Sequence, residues 1–229
     1  MRPRDVALLA AALLAAPLAH GVDTTIKGGR MEILNKGGEA VFTGGVKLDR
    51  GTDEMRAEEM RTNRERDKIS AKGNVSLFRQ TSATETWRAY GESGFYDTKT
   101  GDGYLVGKKK QARVIRTEIL SSTATRQIEI LADRIDFAKE GQRATAKGLV
   151  YGKTVDPDTG DLYVFESDQA DYQGDDKQII LTGADLMPLL TQTGPKETRR
   201  VTGEKIIYYI DSRRLISEGS AQAVLRQEK

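Results

Sequence analysis

The 229-residue chain has no cysteine and a single histidine, His20. Without cysteine there is no disulfide framework and no thiol chemistry. His20 falls in an N-terminal segment that reads as an export signal. The rest of the chain therefore has no imidazole for the general base of a serine or cysteine hydrolase, and none for a zinc site. Aromatic residues make up 6%, too few to favour a base-stacking surface, and 36 basic against 34 acidic side chains leave a net charge of +2, which argues against a nucleic-acid partner. No phosphate-binding G-x-x-x-x-G-K-[ST] loop occurs. Carboxylates are plentiful but scattered, and none is singled out as a pair for glycoside hydrolysis. These absences point away from an enzyme, so no catalytic residue is nominated.

No metal or other cofactor is expected either. "DPDTGD", Asp156 to Asp161, begins like a calcium loop, but its twelfth position is Ser167 where a glutamate is needed, and "LYVFES" after it is strand-like. A tight turn between strands is the reading taken there.

Long apolar runs are confined to the start. "MRPR", then "VALLAAALLAAPLA" (Val6 to Ala19), then the small-x-small pattern Ala19-His20-Gly21, has the layout of a signal peptide over residues 1–21. The run is shorter than the roughly 20 residues of a membrane span. Residues 22–229 are then expected to form one exported domain, with retention of the segment as a membrane anchor as the alternative.

What the chain has in abundance is a repeat. "GGRMEILNKGGEAVFTG" (Gly28 to Gly44) is echoed by "AEEMRTNRERDKISAKG" (Ala57 to Gly73), "GESGFYDTKTGDGYLVG" (Gly91 to Gly107), "ADRIDFAKEGQRATAKG" (Ala132 to Gly148), "SDQADYQGDDKQIILTG" (Ser167 to Gly183) and "GEKIIYYIDSRRLISEG" (Gly203 to Gly219). Each copy opens on a small residue and closes on glycine. The second position is an acid in Glu58, Glu92, Asp133, Asp168 and Glu204, with Gly29 the exception.

Within a copy the apolar residues lie two apart, the period of a strand. In first halves these are Met31, Ile33, Met60, Ile135, Phe137, Tyr172, Ile206, Tyr208 and Ile210. In and just beyond second halves they are Phe42, Val46, Leu48, Ile69, Val75, Leu77, Val150, Ile179, Leu181 and Leu215. Turn-like "NKGG", "NRERD", "TKTGDG", "KEGQ", "QGDDK" and "DSRR" separate the halves. Each copy is thus a β-hairpin with one apolar face. Lone hairpins are marginal in water, so the six are expected to stack into an elongated all-β sheet curled around that face.

The closing glycine is expected on the inward parity, where the missing side chain permits a bend. Small residues such as Ala40, Ala71, Ala144 and Ala146 suggest an interior that is not filled, since a packed one would prefer bulk. The Lys108 to Lys110 run predicts a register break after the third copy. No role is legible for Trp87, Tyr151 or Tyr163.

The pattern small-acid-x-apolar-x-apolar, turn, x-x-Gly-x-apolar, as in "ADRIDFAKEGQRATAKGLV" and "GEKIIYYIDSRRLISEGSAQAVL", resembles the OstA-like family, the LptA group of periplasmic lipopolysaccharide-transport proteins. The resemblance runs from about Ile26 to Leu225. It implies a β-jellyroll (the β-taco) of about six stacked antiparallel hairpins, periplasmic and not enzymatic, whose interior shields lipid A acyl chains. It also implies lipopolysaccharide as ligand, inner- and outer-membrane transport components as partners, and head-to-tail homo-oligomers joined by strand addition. The nineteen apolar positions named above become its groove lining. Gly29 in place of the first acid, the lysine run and the long step into the fourth copy depart from the pattern. An exported β-solenoid scaffold without ligand is the competing reading.

Overall fold

The computed structural model describes residues 24–227, apart from Arg66, Thr123 and residues 139–141; the expected signal peptide lies outside the described residues. Strands β1 (Thr24–Lys27) and β2 (Arg30–Leu34) lead through a 3-10 turn, Asn35–Gly37, into four long strands: β3 (Glu39–Arg50), β4 (Asp53–Asn63), β5 (Lys68–Ser82) and β6 (Glu85–Asp97). Four shorter ones follow: β7 (Gly103–Val106), β8 (Ala112–Ile119), β9 (Thr125–Ala132) and β10 (Arg134–Ala138). After the long β11 (Arg143–Val155) and β12 (Leu162–Gln173) come β13 (Gln178–Thr182), β14 (Leu189–Thr193), β15 (Glu197–Thr202), β16 (Lys205–Tyr209), β17 (Leu215–Glu218) and β18 (Gln222–Gln227). Among the described residues there is no α-helix, and hence none long and apolar enough to cross a membrane. The fold is all-β, as the repeat predicts, and is the jellyroll that the resemblance implies.

All six phrases are antiparallel hairpins: β2/β3, β4/β5, β6/β7, β10/β11, β12/β13 and β16/β17. They pair edge to edge in chain order, through β3/β4, β5/β6, β7/β10, β11/β12 and β13/β16, into one hairpin layer. The long strands β3 to β6, β11 and β12 run on beyond their hairpins. Together with β1, β8, β9, β14, β15 and β18 their continuations form a second, return layer. The repeat therefore specifies one wall of the molecule, and the stretches that join the copies build the other.

The line where the layers meet explains the acid and the glycine. Gly73 (φ +76°) is followed by Asn74 (φ +48°), and these two left-handed residues break the register of β5 so that it bends into the return layer. The Gly73 side-chain position does not face the interior. A Cβ there would collide with the Glu58 carboxylate, and Gly148 and Gly219 stand likewise against Asp133 and Glu204. The inward placement expected for this glycine is thus corrected: the bulge rotates it outward onto its own copy's acid. Glu58 accepts from Asn74 Nδ2 (2.7 Å) and Glu204 from Ser220 Oγ (3.2 Å), so the acid caps the bend. In the third and fifth copies a loop replaces the bend, at residues 107–111 and 183–188. Lys108 to Lys110 form the first of these loops, the break expected there, and all three are exposed. In the second loop Asp168 Oδ2 accepts the N–H groups of Ala184, Asp185 and Leu186 at 2.7 to 2.8 Å.

Cross-strand neighbours form rows that run the length of the molecule. In the hairpin layer the deep row passes from Met31 through Phe42, Met60, Ala71 and Gly94 to Leu105, and continues through Ile135, Ala146, Ala170 and Leu181 to Ile206. Facing it in the return layer, Leu48, Met55, Leu77, Ala89 and Val114 lead to Ile130, Gly152, Phe165 and Leu190. Small residues interrupt the large ones, at Ala71 and Gly94 and at Ala146 and Ala170 in one row, and at Ala89 and Gly152 in the other. The Phe165 ring occupies the space a side chain would take on Gly152, and the Phe137 ring does the same for Gly103. At these two glycines a neighbouring ring fills the space, whereas Ala144, one of the small residues singled out in the sequence, borders two small voids. Density is reached by interdigitation.

Two turns share one spelling, Asp-x-x-Thr-Gly-Asp: Asp97 to Asp102 and Asp156 to Asp161. In each the first aspartate's Oδ1 accepts two backbone N–H groups, from Lys99 and Thr100 or from Asp158 and Thr159. In each the glycine is left-handed and its N–H donates to the first aspartate's C=O at 2.9 Å. The calcium-like stretch is thus a hairpin turn whose carboxylate serves its own backbone.

Adding a methyl at Gly152 forces the Phe165 ring off its seat. Gly152→Ala should cost about 1–3 kcal/mol, read as a lower urea midpoint, and Phe165→Leu in the same chain should recover part of the loss. A midpoint unchanged in Gly152→Ala would contradict the row packing.

Candidate functional site

Away from the bend the layers diverge, and their turn ends meet at a few bridges. Arg50 Nη1 donates to the Thr98 C=O at 2.9 Å. Further along, Arg126 pairs with Asp211 (3.1 Å), which also holds Lys177 (2.9 Å), and Arg213 pairs with Asp156 and Asp158. Arg213, in the turn between β16 and β17, thereby ties the two layers together. Between the Arg50 and Lys177 ends lies a cleft of about 660 Å³.

The wall of this cleft is one row of the return layer. Asp53, Arg79, Trp87 and Arg116 stand side by side on β4, β5, β6 and β8, in direct register at Arg79/Trp87 and Trp87/Arg116. Asp53 receives Arg79 through Nε and Nη2 at 2.7 to 3.1 Å, and Arg79 also donates to the Tyr96 hydroxyl of the opposite layer. Arg116 donates to Glu85 (2.8 Å), which accepts the Trp87 indole N–H at 2.9 Å as well. The Arg116 guanidinium lies 5.8 Å from the Trp87 ring and 6.0 Å from that of Tyr172, close enough for cation–π attraction.

Burial alone would depress both arginines. The hydrogen bonds they donate to Asp53 and Glu85, with the phenols of Tyr96 and Tyr172 nearby, outweigh it and hold both charged above the ordinary range. Burial raises the Tyr172 phenol in the same place.

Beneath this row are two small apolar voids. One, about 40 Å³, is bounded by Trp87, Val114, Arg116, Ile135, Ala144 and Tyr172; the other, about 60 Å³, by Leu77, Arg79, Trp87, Ala89, Phe137 and Ala144. Trp87 lines the cleft and both voids. It separates a wet mouth from a dry interior.

The nineteen predicted lining residues lie on the facing surfaces of the two layers, with Ile210 just past the end of β16. Val46, Leu48, Val75, Leu77 and Val150 belong to the return layer and the others to the hairpin side. Phe42, Val46, Leu48, Met60, Ile69, Val75, Ile135, Val150, Ile179, Leu181, Ile206, Tyr208 and Ile210 are buried in contact with protein, and Leu77, Phe137, Tyr172 and Leu215 are partly so. Met31 and Ile33 are 55% and 62% exposed, because among the described residues β2 pairs on one side alone, with β3. Of the predicted lining, Tyr172 borders the cleft itself. Sequence reasoning missed Arg79, Trp87 and Arg116. The signal was present: Arg79 continues the inward step Val75, Leu77, and Arg116 continues Ala112, Val114.

The chain is thus a two-layered sheet with an apolar interior and an amphipathic mouth. Residues 25–118 match the family described as LptA/(LptD N-terminal domain) LPS transport protein. Residues 25–118 are thus similar to the OstA-like, LptA-type family, whose members are transport and binding proteins, and the same acid–glycine unit continues beyond the matched segment to Gly219. Among solved structures, the chain is similar to LptH, the LptA-homologous periplasmic component of the conserved lipopolysaccharide transport device from Pseudomonas aeruginosa. The identity is 17%, over 55% of this chain and 82% of that one, with a TM-score of 0.45. No curated protein matches.

Tyr208 packs against Tyr163, with ring centroids 5.4 Å apart, and burial pushes its phenol up to about 12. Below pH 10 both folded and unfolded forms carry the proton, so its contribution is fully present there. Above about pH 10 the unfolded chain ionises first, and stability should fall until the folded phenol also titrates near 12. The urea midpoint of Tyr208→Phe should therefore decline less than wild type over that window; parallel declines would contradict the burial.

Proposed function

We propose that this protein is a periplasmic carrier in lipopolysaccharide transport. It shields lipid A acyl chains between its layers and bridges the inner and outer membranes by joining end to end. The observation that carries the reading is the family match over residues 25–118, on a fold whose mouth is open above an apolar interior. Each buried methylene is worth about 0.8 kcal/mol, so a lipid with several long chains needs a continuous apolar path to cross water. The rows supply one, once Trp87 and its neighbours give way. The bend side stays packed, and chains enter from the cleft.

The ends suit strand addition. Among the described residues, β1 and β2 have free edges at one end beside exposed Met31 and Ile33; at the other, β17 and β18 have free edges beside Val224 and Leu225, each 61% exposed. Open edges of this kind dock strands. Lipopolysaccharide-transport components of both membranes are the partners expected at the two ends. Recovery in the membrane fraction of a chain still beginning at Met1 would favour the anchored sister component instead.

The packed bend side gives the ligand-free scaffold its one argument, and lipid capture separates the two readings. A photo-crosslinker at Tyr172 should capture lipopolysaccharide in a producing cell, with Phe42 as a deeper second site and exposed Arg88 as the control. Capture at neither interior position above the Arg88 background would sink the carrier reading. For assembly, Met31→Glu with Ile33→Glu should abolish concentration-dependent growth in sedimentation. The unfolding midpoint should hardly move, because both side chains are mostly exposed. Undiminished growth would remove this edge from the interface.

A further inference from the structure

We propose that Arg79 and Arg116, set on either side of Trp87, form a two-point anion site for an amphiphile that carries two acidic groups. The inference rests on the carrier reading and deepens it by naming the chemistry of the headgroup.

The three residues are consecutive rungs of one cross-strand row, on β5, β6 and β8. At about 4.8 Å per strand the two arginines stand about 10 Å apart. Both guanidiniums are well buried, the Arg116 side chain being 9% and that of Arg79 14% exposed. Packing alone does not ask for this: the next rung after Arg116 is Ile128, and a buried ion pair is seldom more stabilising than well-packed aliphatic side chains. The groups are also fixed in place. Asp53 and Tyr96 hold Arg79, and Glu85, Trp87 and Tyr172 hold Arg116.

A guanidinium has five N–H donors. Asp53 engages Nε and Nη2 of Arg79, and Glu85 engages Nε of Arg116. Each arginine can keep its carboxylate and still donate to a phosphate in the cleft, for which its planar fork is suited. Four cations, Arg50, Arg79, Arg116 and Lys177, line this cleft against the carboxylates Asp53, Glu85 and Asp175. Directly below Trp87 the voids are bounded by Val114, Ile135 and Ala144. Acidic groups at the arginines would thus place attached hydrocarbon over the apolar voids. A glycolipid headgroup bearing two phosphates has this form.

The test compares binding of bisphosphorylated and monophosphorylated lipid A to the purified chain, with inorganic phosphate as a competitor. Wild type should prefer the bisphosphorylated form about tenfold, as expected for one charge-assisted contact. Phosphate should not compete at equal concentration. In Glu85→Gln/Arg116→Gln, which removes both members of that pair, leaves Glu118 its ion pair with Arg126 and keeps an acceptor for the indole, the ratio should fall to near one. Asp53→Asn/Arg79→Gln should do the same from the other point, and near-UV circular dichroism reports whether each variant is folded. Equal binding of the two lipids by wild type, or a preference kept in both folded double variants, overturns the inference and leaves the carrier reading standing. Displacement of lipid by phosphate at equal concentration overturns it in favour of a free-phosphate site. Failure of wild type to bind either lipid brings down the carrier reading and this inference together.

Discussion

The structure depends on one local arrangement, a carboxylate set against a glycine across the base of a hairpin. A strand twelve or more residues long with one apolar face must fold back on itself before that face can be buried, and the bend is where it does so. Two left-handed residues in succession turn the chain, and the acid opposite them accepts from the side chain of the second, Asn74 or Ser220. Without that corner the long strands would form a flat sheet with one side open to water. With it the second, fourth and sixth units turn back and present their edges to the next, while loops make the same turn in the third and fifth.

Closure on one side has consequences across the section. Near the bend the layers are close, and the deep rows interlock by setting rings over glycines, as Phe165 does over Gly152. Farther out the layers diverge, and aliphatic packing no longer reaches across. There the rows change to aromatic and charged residues: Tyr96, Tyr172, Arg79, Trp87 and Arg116. These are long enough to touch the opposite wall and polar enough to face a wet cleft. The gradient from dry floor to amphipathic mouth follows from the angle between the layers.

The hairpins and their shared face were legible in the sequence because both signals are local. Period-two alternation reports a one-sided strand, and glycine after a turn reports its end. The return layer was not legible in that way, since its strands include the joining stretches, whose lengths drift. Arg79 and Arg116 could be placed only by carrying the inward parity of Val75 and Ala112 further along their strands. Trp87 became meaningful only once cross-strand register set it between them. The glycine's outward rotation was also hidden, because a bulge resets parity by one residue and alternation alone cannot show where. Met31 and Ile33 fit the inward pattern, and what leaves them exposed is the absence of a further strand, a property of their place at the end of the array.

The row construction also makes length a stepwise quantity. Each wall comprises twelve strand segments among the described residues, which at about 4.8 Å per strand gives a reach of about 50 Å. A unit meets only its two neighbours. Gain or loss of one hairpin with its return strands would therefore change the reach by about 10 Å while leaving the chemistry of both ends untouched, as a ladder can be shortened without altering its feet.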